Sequence, residues 1–238
     1  MTNRVDLSVV LLCYQSGSAV LEFIKKTESL VSCLTTEYEI ILVANYLEGS
    51  DDKTKSYAEQ AAIGNARYKV ISLPKQGMMG WDMRSGLDAA QGKYICVIDG
   101  DGQFPIESIS ACYKEILLGK FDLVKTYRTK RGDGVYRRLI SGIYNMFFSI
   151  LFPGINSRDV NSKPKIIRAD AYARMGLLSD DWFIDAEIML KIRDLNMTYL
   201  ELPIEFYELS GRSSFVKFPA IWEFMKNLIQ YRFMKNGG

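Results

Sequence analysis

Two aspartates two residues apart, at the end of an apolar run, offer the most direct chemistry in this chain. Tyr94-Ile95-Cys96-Val97-Ile98 leads straight into Asp99-Gly100-Asp101-Gly102-Gln103-Phe104-Pro105. In an extended segment the side chains at i and i+2 point to the same side, so Asp99 and Asp101 can converge on one cation. Gly100 and Gly102 allow a tight turn and leave room for a ligand. Hard oxygen ligands that do not complete a cage suit Mg²⁺ or Mn²⁺ shared with substrate phosphates. The plainer alternative is an ordinary strand-to-helix turn, where Asp and Gly are common. The flanking elements favour a site, because ligands of open α/β sheets sit at the carboxyl ends of strands.

Such a turn needs a sheet to hold it. Strand-like runs occur at Leu7–Leu12, Glu39–Val43, Tyr68–Ile71, Tyr94–Ile98 and Asp122–Lys125. Helical patterns lie between them at Ser18–Leu34, Asp52–Ile63, Met79–Ala90 and Pro105–Leu118, with Asp52 and Pro105 as helix openers. Continuous buried strands alternating with amphipathic crossovers predict a mostly parallel α/β sheet with helices on both faces. The second half changes character. Arg128-Thr129-Lys130-Arg131-Gly132-Asp133-Gly134 reads as a charged loop, followed by a helix over Arg137–Leu151 and a loop from Pro153 to Pro164. A strand at Lys165–Arg168, a helix at Ile184–Leu195, a strand at Tyr199–Leu202, a loop at Ser210–Ser214 and a last amphipathic helix at Pro219–Met234 complete the expectation. No repeat or low-complexity linker divides residues 1–238, so a single domain is expected.

Composition removes several function classes. The chain has 238 residues, 48% hydrophobic, and a formal net charge of only +2, which gives nucleic-acid binding no electrostatic support. It contains no histidine, which excludes Ser-His-Asp and Cys-His triads, His-ligated zinc and imidazole acid–base chemistry. Cys13, Cys33, Cys96 and Cys112 show no CxxC spacing; Cys13 and Cys96, in or beside apolar strands, read as small buried thiols, and a reduced, cytosolic compartment is expected. Met1 to Asp6 run directly into the first strand without a leader pattern. The longest greasy run, Leu139–Phe152, is broken by Ser141, Asn145 and Ser149 and falls short of the roughly 18 residues that span a bilayer. Neither a P-loop nor a GxGxxG after the first strand is present, which disfavours NTPases and dinucleotide oxidoreductases.

With the acidic motif in place, nearly the whole chain resembles a family 2, GT-A-fold glycosyltransferase of the polyprenyl-phosphate sugar transferase type, similar to dolichol-phosphate mannose synthases. The resemblance runs through Val9–Leu12 with Cys13-Tyr14-Gln15, then Ile41-Leu42-Val43-Ala44-Asn45, Ser50-Asp51-Asp52-Lys53-Thr54, Gly77, and Met83-Arg84-Ser85-Gly86. It culminates in Asp99-Gly100-Asp101-Gly102-Gln103-Phe104-Pro105, like the family's Asp-Ala-Asp-x-Gln-x-Pro. The resemblance implies a nucleotide-diphosphate sugar donor and a divalent cation, Mg²⁺ or Mn²⁺, with Asp99, Asp101 and Gln103 around metal and diphosphate. It implies a donor half, 1–127, contacting the nucleotide sugar through Leu12, Tyr14, Gln15, Asn45, Asp52, Gly77, Arg84, Asp99 and Gly100. Gly211-Arg212-Ser213-Ser214 resembles a loop that closes over donor phosphates, which adds Arg212 and Ser213. Ala44 or Asn45 stands where the family has an acid after the second strand, which leaves the nucleotide base open.

The half from 128 to 238 is expected to bind the acceptor. Arg128, Arg131, Arg137 and Arg138 crowd the start of a greasy helix. The pairing fits an interfacial helix whose arginines hold a lipid phosphate, or a solvated basic loop beside a core helix. The resemblance favours Arg128 and Arg137 as acceptor-phosphate residues at the cytosolic face of a membrane, with an inverting displacement at the anomeric carbon in which Asp101 takes part as a catalytic residue. Arg158-Asp159-Val160-Asn161-Ser162-Lys163-Pro164-Lys165 departs from the family's Asp-x-x-Ser-Gly-Phe, with Lys163 and Lys165 as unexplained added charge. Asp185, in Phe183-Ile184-Asp185-Ala186-Glu187, matches an acid that serves as general base where the acceptor is a sugar hydroxyl, and is otherwise a helix-start carboxylate. Three readings follow: transfer to polyprenyl phosphate, transfer to a glycan hydroxyl with Asp185 as base, or a catalytically silent nucleotide-sugar or lipid binder.

Overall fold

The computed structural model describes residues 5–131, 142, 145–206, 226–229 and 231. In chain order the elements are β1 Leu7–Leu12, α1 Ala19–Ser32, β2 Tyr38–Val43, α2 Thr54–Ala62, β3 Tyr68–Ile71, α3 Met79–Asp88, β4 Tyr94–Asp99 and α4 Glu107–Leu117. Then come β5 Leu123–Arg131, β6 Lys165–Arg168, α5 Ala169–Met175, α6 Ile184–Asp194 and β7 Tyr199–Phe206. The seven strands form one sheet in the order β3-β2-β1-β4-β6-β5-β7. β1 pairs in parallel with β2 and β4, β2 with β3, and β5 with β7, whereas β6 runs antiparallel between β4 and β5.

The strands read as unbroken apolar runs because each of their faces meets a separate core. Val10, Leu12, Ile41, Val43, Ile95 and Val97 face Met83 and Leu87 of α3 and the apolar side of α6. Their neighbours Val9, Leu11, Ile40, Leu42, Cys96 and Ile98 face Phe23 and Ile24 of α1 and Ile109 and Cys112 of α4. Period-two alternation therefore carries no polar side in this sheet, as expected for strands covered twice. Leu12 stands opposite both Val43 and Asp99, so β1, β2 and β4 end at one level and their following loops share one rim.

The second half differs from the sequence expectation in two places. The run from Arg128 to Arg131 continues β5 rather than opening a loop, and pairs with β7 out to Phe206 with a register shift between Arg128 and Lys130. A polar ribbon of this kind is held by its backbone ladder, and its partner lies far along the chain, so local hydrophobic periodicity gives no sign of it. The line drawn at 127/128 thus falls inside β5. Helix α5 follows β6 without a turn and closes at Gly176, whose φ is 53°. The expected helices at Arg137–Leu151 and Pro219–Met234 lie largely outside the described residues; residues 145–151, 226–229 and 231 are helical. Of these, Leu228 is buried, and Tyr231 packs its ring 6.1 Å from Phe152 and 5.7 Å from Phe183.

Candidate functional site

The carboxyl ends of β1 and β4 bring the acidic motif to the rim. The Gly100 N–H donates to the Leu12 carbonyl at 2.9 Å, binding the turn after β4 to the end of β1. A Cβ at Gly100 would lie 3.0 Å from that oxygen, so the close approach favours glycine. The Asp101 carboxylate accepts the Gln103 N–H at 3.0 Å and so stabilises the turn that carries it. The Asp99 side chain is 28% exposed, and Asp101 and Gln103 are half-buried at the same turn. Among the described residues no group of three or more Asp, Glu, Cys or His side chains gathers on one point. Two carboxylates and an amide on one turn would make an incomplete oxygen shell, of the kind that suits Mg²⁺ or Mn²⁺ completed by water and phosphate rather than a closed protein cage.

Around this turn the donor-half residues fall into two groups. Tyr14, Asp52 and Gln15 lie along the loops after β1 and β2. The Lys75 ammonium stands 4.1 Å from the Tyr14 ring centroid. Asp52 accepts from both the N–H and the hydroxyl of Thr54, and Thr54 in turn accepts the Gly17 N–H at 2.8 Å, tying α2 to the loop after β1. Gln15 is exposed, with a φ of 52°. Leu12 contributes its carbonyl rather than its buried side chain. Asn45, by contrast, is turned inward: its amide donates to Asp82 at 2.9 Å and Ser85 at 3.1 Å, and its carbonyl accepts the Leu73 N–H at 2.9 Å. With 1% exposure it is a strut between loops and not a surface for a nucleotide base.

Gly77 and Arg84 form the second group, and both face the chain after α5. A Cβ at Gly77 would come within 2.5 Å of the Asp180 carbonyl. The N–H groups of Met78 and Trp81 donate to that same carbonyl, at 2.7 and 3.1 Å. Arg84 donates to the Leu178 carbonyl at 2.8 Å and to the Asp180 carboxylate at 2.6 Å. These contacts dock the 177–183 segment on the start of α3 and use the groups that the resemblance assigns to the donor.

Beneath the rim lies a buried chain of alternating charges. Lys163 stands 3.3 Å from Asp99 and 3.3 Å from Asp185, and Asp185 also accepts Lys165 at 2.5 Å. Asp185 is fully buried, and the two ammonium groups hold its carboxyl below the usual carboxylate range in spite of its burial. Asp185 and Asp99 likewise keep Lys163 protonated against its desolvation. Burial pushes the Lys165 ammonium down to about 8, with Lys125 and Lys163 acting in the same direction. Lys125, also buried, pairs with Glu201 at 2.9 Å and donates to the Asp159 carbonyl at 2.5 Å. Glu201 accepts the Ser157 hydroxyl and the Arg158 N–H, so it fixes the loop that leads to Lys163.

Arg128 leaves β5 beside this loop. Its guanidinium forks onto Asp159 at 2.6 and 2.8 Å and lies 5.2 Å from the Phe206 ring and 5.8 Å from that of Phe104. Arg137, Arg212 and Ser213 lie outside the described residues. Sequence reasoning missed Lys75 and Asp82, a buried pair between the loop after β3 and helix α3. It noted Lys163 and Lys165 without a role. Their signal was available: two lysines at i and i+2 around Pro164 lie on one side of an extended segment and need a shared acid if that side is inward.

Similarity to known proteins agrees with this geometry. The sequence profile described as Glycosyl transferase family 2 matches residues 8–177. An undecaprenyl-phosphate 4-deoxy-4-formamido-L-arabinose transferase of Pseudomonas fluorescens is 31% identical over 142 residues, covering 59% of this chain and 40% of the relative. A dodecaprenyl-phosphate galacturonate synthase of Rhizobium johnstonii is 23% identical over 182 residues, covering 75% and 52%. The chain therefore spans about half or less of the length of these curated relatives. Glucosyl-3-phosphoglycerate synthase from Mycobacterium tuberculosis, solved with Mn²⁺, UDP and phosphoglyceric acid, superposes with a TM-score of 0.70 at 16% identity over 96% of this chain and 78% of its own. Mannosyl-3-phosphoglycerate synthase from Rubrobacter xylanophilus gives 0.72 at 15% identity over 98% and 75%. These likenesses share the GT-A fold, and the family match extends from β1 through α5: the chain belongs to glycosyl transferase family 2.

Proposed function

We propose that the chain transfers a sugar from a nucleotide-diphosphate donor, with a divalent cation, to a polyprenyl phosphate at the cytosolic face of a membrane. The observation that carries the choice of acceptor is the state of Asp185. A hydroxyl acceptor must lose its proton as it attacks, and its base needs an oxygen that can reach the substrate. Asp185 has no exposed surface and is bound by two ammonium groups. A phosphate acceptor is already ionised near neutral pH and needs no such base. Relatives named for undecaprenyl and dodecaprenyl phosphate support the same choice.

In this reading Asp99, Asp101 and Gln103 hold Mg²⁺ or Mn²⁺, which when bound neutralises charge on the departing nucleoside diphosphate. Tyr14, Gln15 and Asp52 line the donor side, while Arg128, with Arg137, meets the acceptor phosphate and gives up its Asp159 fork to do so. The transfer inverts the anomeric centre without a covalent enzyme intermediate. Membrane contact is supported by residues 145–151, where Phe148 is buried while Met146, Phe147 and Ile150 are exposed at 53%, 39% and 67%. One side of that helix seals the core and the other offers apolar surface. Among the described residues no helix is long and apolar enough to cross a bilayer.

The test presents purified protein with a labelled nucleotide sugar, Mn²⁺ and two acceptors that differ only at the head group, polyprenyl phosphate and polyprenol. Label on the phosphate alone is expected. Label on the alcohol would overturn the acceptor assignment in favour of a hydroxyl acceptor. No turnover of a bound donor with either lipid, or with water, would favour a silent binder.

A further inference from the structure

The acidic turn after β4 and the loop before β6 meet at Lys163. Its ammonium is 3.3 Å from Asp99 and 3.3 Å from Asp185, and its side chain is 2% exposed. The backbone around it is pinned: the Thr126 hydroxyl donates to the Lys163 carbonyl at 2.6 Å, and the Thr126 N–H to the Pro164 carbonyl at 3.2 Å. The Lys163 backbone therefore cannot withdraw without moving β5. Asp185 shares its single negative charge between Lys163 and Lys165, so part of the Lys163 charge is balanced by Asp99. Counted with Asp99 the four groups are neutral; without it they carry one buried positive charge.

A divalent cation placed on Asp99 would make that withdrawal of charge and would also sit close to an ammonium. Like charges at such range in a partly buried setting repel strongly. We propose that Lys163 is a positioning residue that holds Asp99 and opposes metal loading of the free protein, so that the divalent cation enters together with the donor's diphosphate. This rests on the metal-and-donor reading above and adds an order to it. The diphosphate brings the negative charge that offsets both cations, and coupling between two ligands must be reciprocal. Lys163 thus makes metal and nucleotide favour one another, whereas Asp99 and Asp101 alone would let the metal bind first.

The experiment measures Mn²⁺ binding to the full chain by electron paramagnetic resonance, alone and with inorganic pyrophosphate, the part common to all such donors. Free protein is expected to bind Mn²⁺ weakly, and pyrophosphate to tighten it at least tenfold beyond its own affinity for Mn²⁺ in solution. Lys163→Met should bind Mn²⁺ alone at least tenfold more tightly than the unmodified protein, with a smaller effect of pyrophosphate. A merely structural lysine would leave Mn²⁺ affinity unchanged or lower it on substitution, and either result overturns the proposal. If Lys163→Met does not fold, the unmodified protein decides: Mn²⁺ bound as tightly without pyrophosphate as with it overturns the inference. Mn²⁺ bound by neither protein under any condition sinks the metal reading itself, which separates the two failures.

Discussion

The two halves of this sheet handle charge in opposite ways. On the β1–β4 side the strand interiors are almost entirely apolar, without a buried cation, and acids wait at their ends, where Asp99 closes β4 and Asp101 follows at the rim. On the β5–β7 side cations enter the core: Lys125, Lys163 and Lys165 are all buried, each with an acid from another element. Ordinary burial would expel these lysines, since an isolated charge is too costly to desolvate. Their retention costs the fold a set of long-range pairs in which every partner is needed. The first half can therefore lose Asp101 and keep its fold, whereas the second half, which also draws on Asp99, ties its fold to its charges.

The sharpest way to break that contrast is at the rim. Asp101→Ala is expected to abolish metal-dependent donor binding with little change in melting temperature, and Asp99→Ala to weaken that binding strongly while also lowering the melting temperature, because Lys163 loses one of its two acids. Calorimetric titration of nucleotide sugar with Mn²⁺ or with chelator reads this out. Donor binding indifferent to chelator and to both substitutions would end the metal assignment. Next in size is Asp185→Ala, which leaves two buried ammonium groups short of their acid. Breaking a buried pair on one side typically costs about 3–5 kcal/mol, so urea unfolding should shift by that order while Asp101→Ala barely moves it. A loss under about 1 kcal/mol would mean that the buried charges are not a linked network.

The same contrast explains what the sequence disclosed. Leu7–Leu12 and Tyr94–Ile98 announce themselves because local hydrophobicity and strand length agree, and in the second an acid follows at once. The Asp99–Gln103 turn was legible for the same reason. The extension of β5 past Arg128 was not, because its ladder partner in β7 lies far away in sequence and its side chains carry no apolar period. Asn45 follows a strand at a rim position, just as a ligand residue would. Only the tertiary positions of Asp82, Ser85 and Leu73 turn it inward. Lys163 and Lys165 were visible as excess charge, but Asp185 and Asp99, which neutralise them, come from two other elements.

A smaller effect sharpens the acceptor side. Arg128 is a charge-assisted partner, and losing such a contact costs about 1.5–3 kcal/mol. Arg128→Ala should therefore lower kcat/KM for polyprenyl phosphate by roughly ten- to a hundredfold. Its KM for the donor should stay unchanged. Asp159→Asn offers the complementary measurement, because it loosens the fork that competes with the incoming phosphate. If Arg128→Ala raises the donor KM instead, the guanidinium serves the diphosphate and the division between donor and acceptor sides is drawn in the wrong place.

The smallest effect comes from titrating the buried network itself. Burial pushes the Lys165 ammonium down to about 8, with Lys125 and Lys163 adding to the shift and Asp185 opposing it. An unfolded lysine titrates near 10.4. Between these values the unfolded chain holds a proton that the folded chain has released, so Lys165 makes stability rise with pH in this window. Below about pH 8 both states keep the proton and the cost of burying it is fully present. Lys163 does not cancel the trend, because its ammonium is held above the ordinary lysine range and stays charged throughout. Urea unfolding of the unmodified protein and of Lys165→Met, at pH 7.5 and 9.5, isolates the contribution. The difference between them should move in favour of the unmodified protein by about 2 kcal/mol at the higher pH. A flat difference would show that Asp185 holds Lys165 charged as firmly as it holds Lys163. The alternating chain would then be a set of ordinary ion pairs with no strained member.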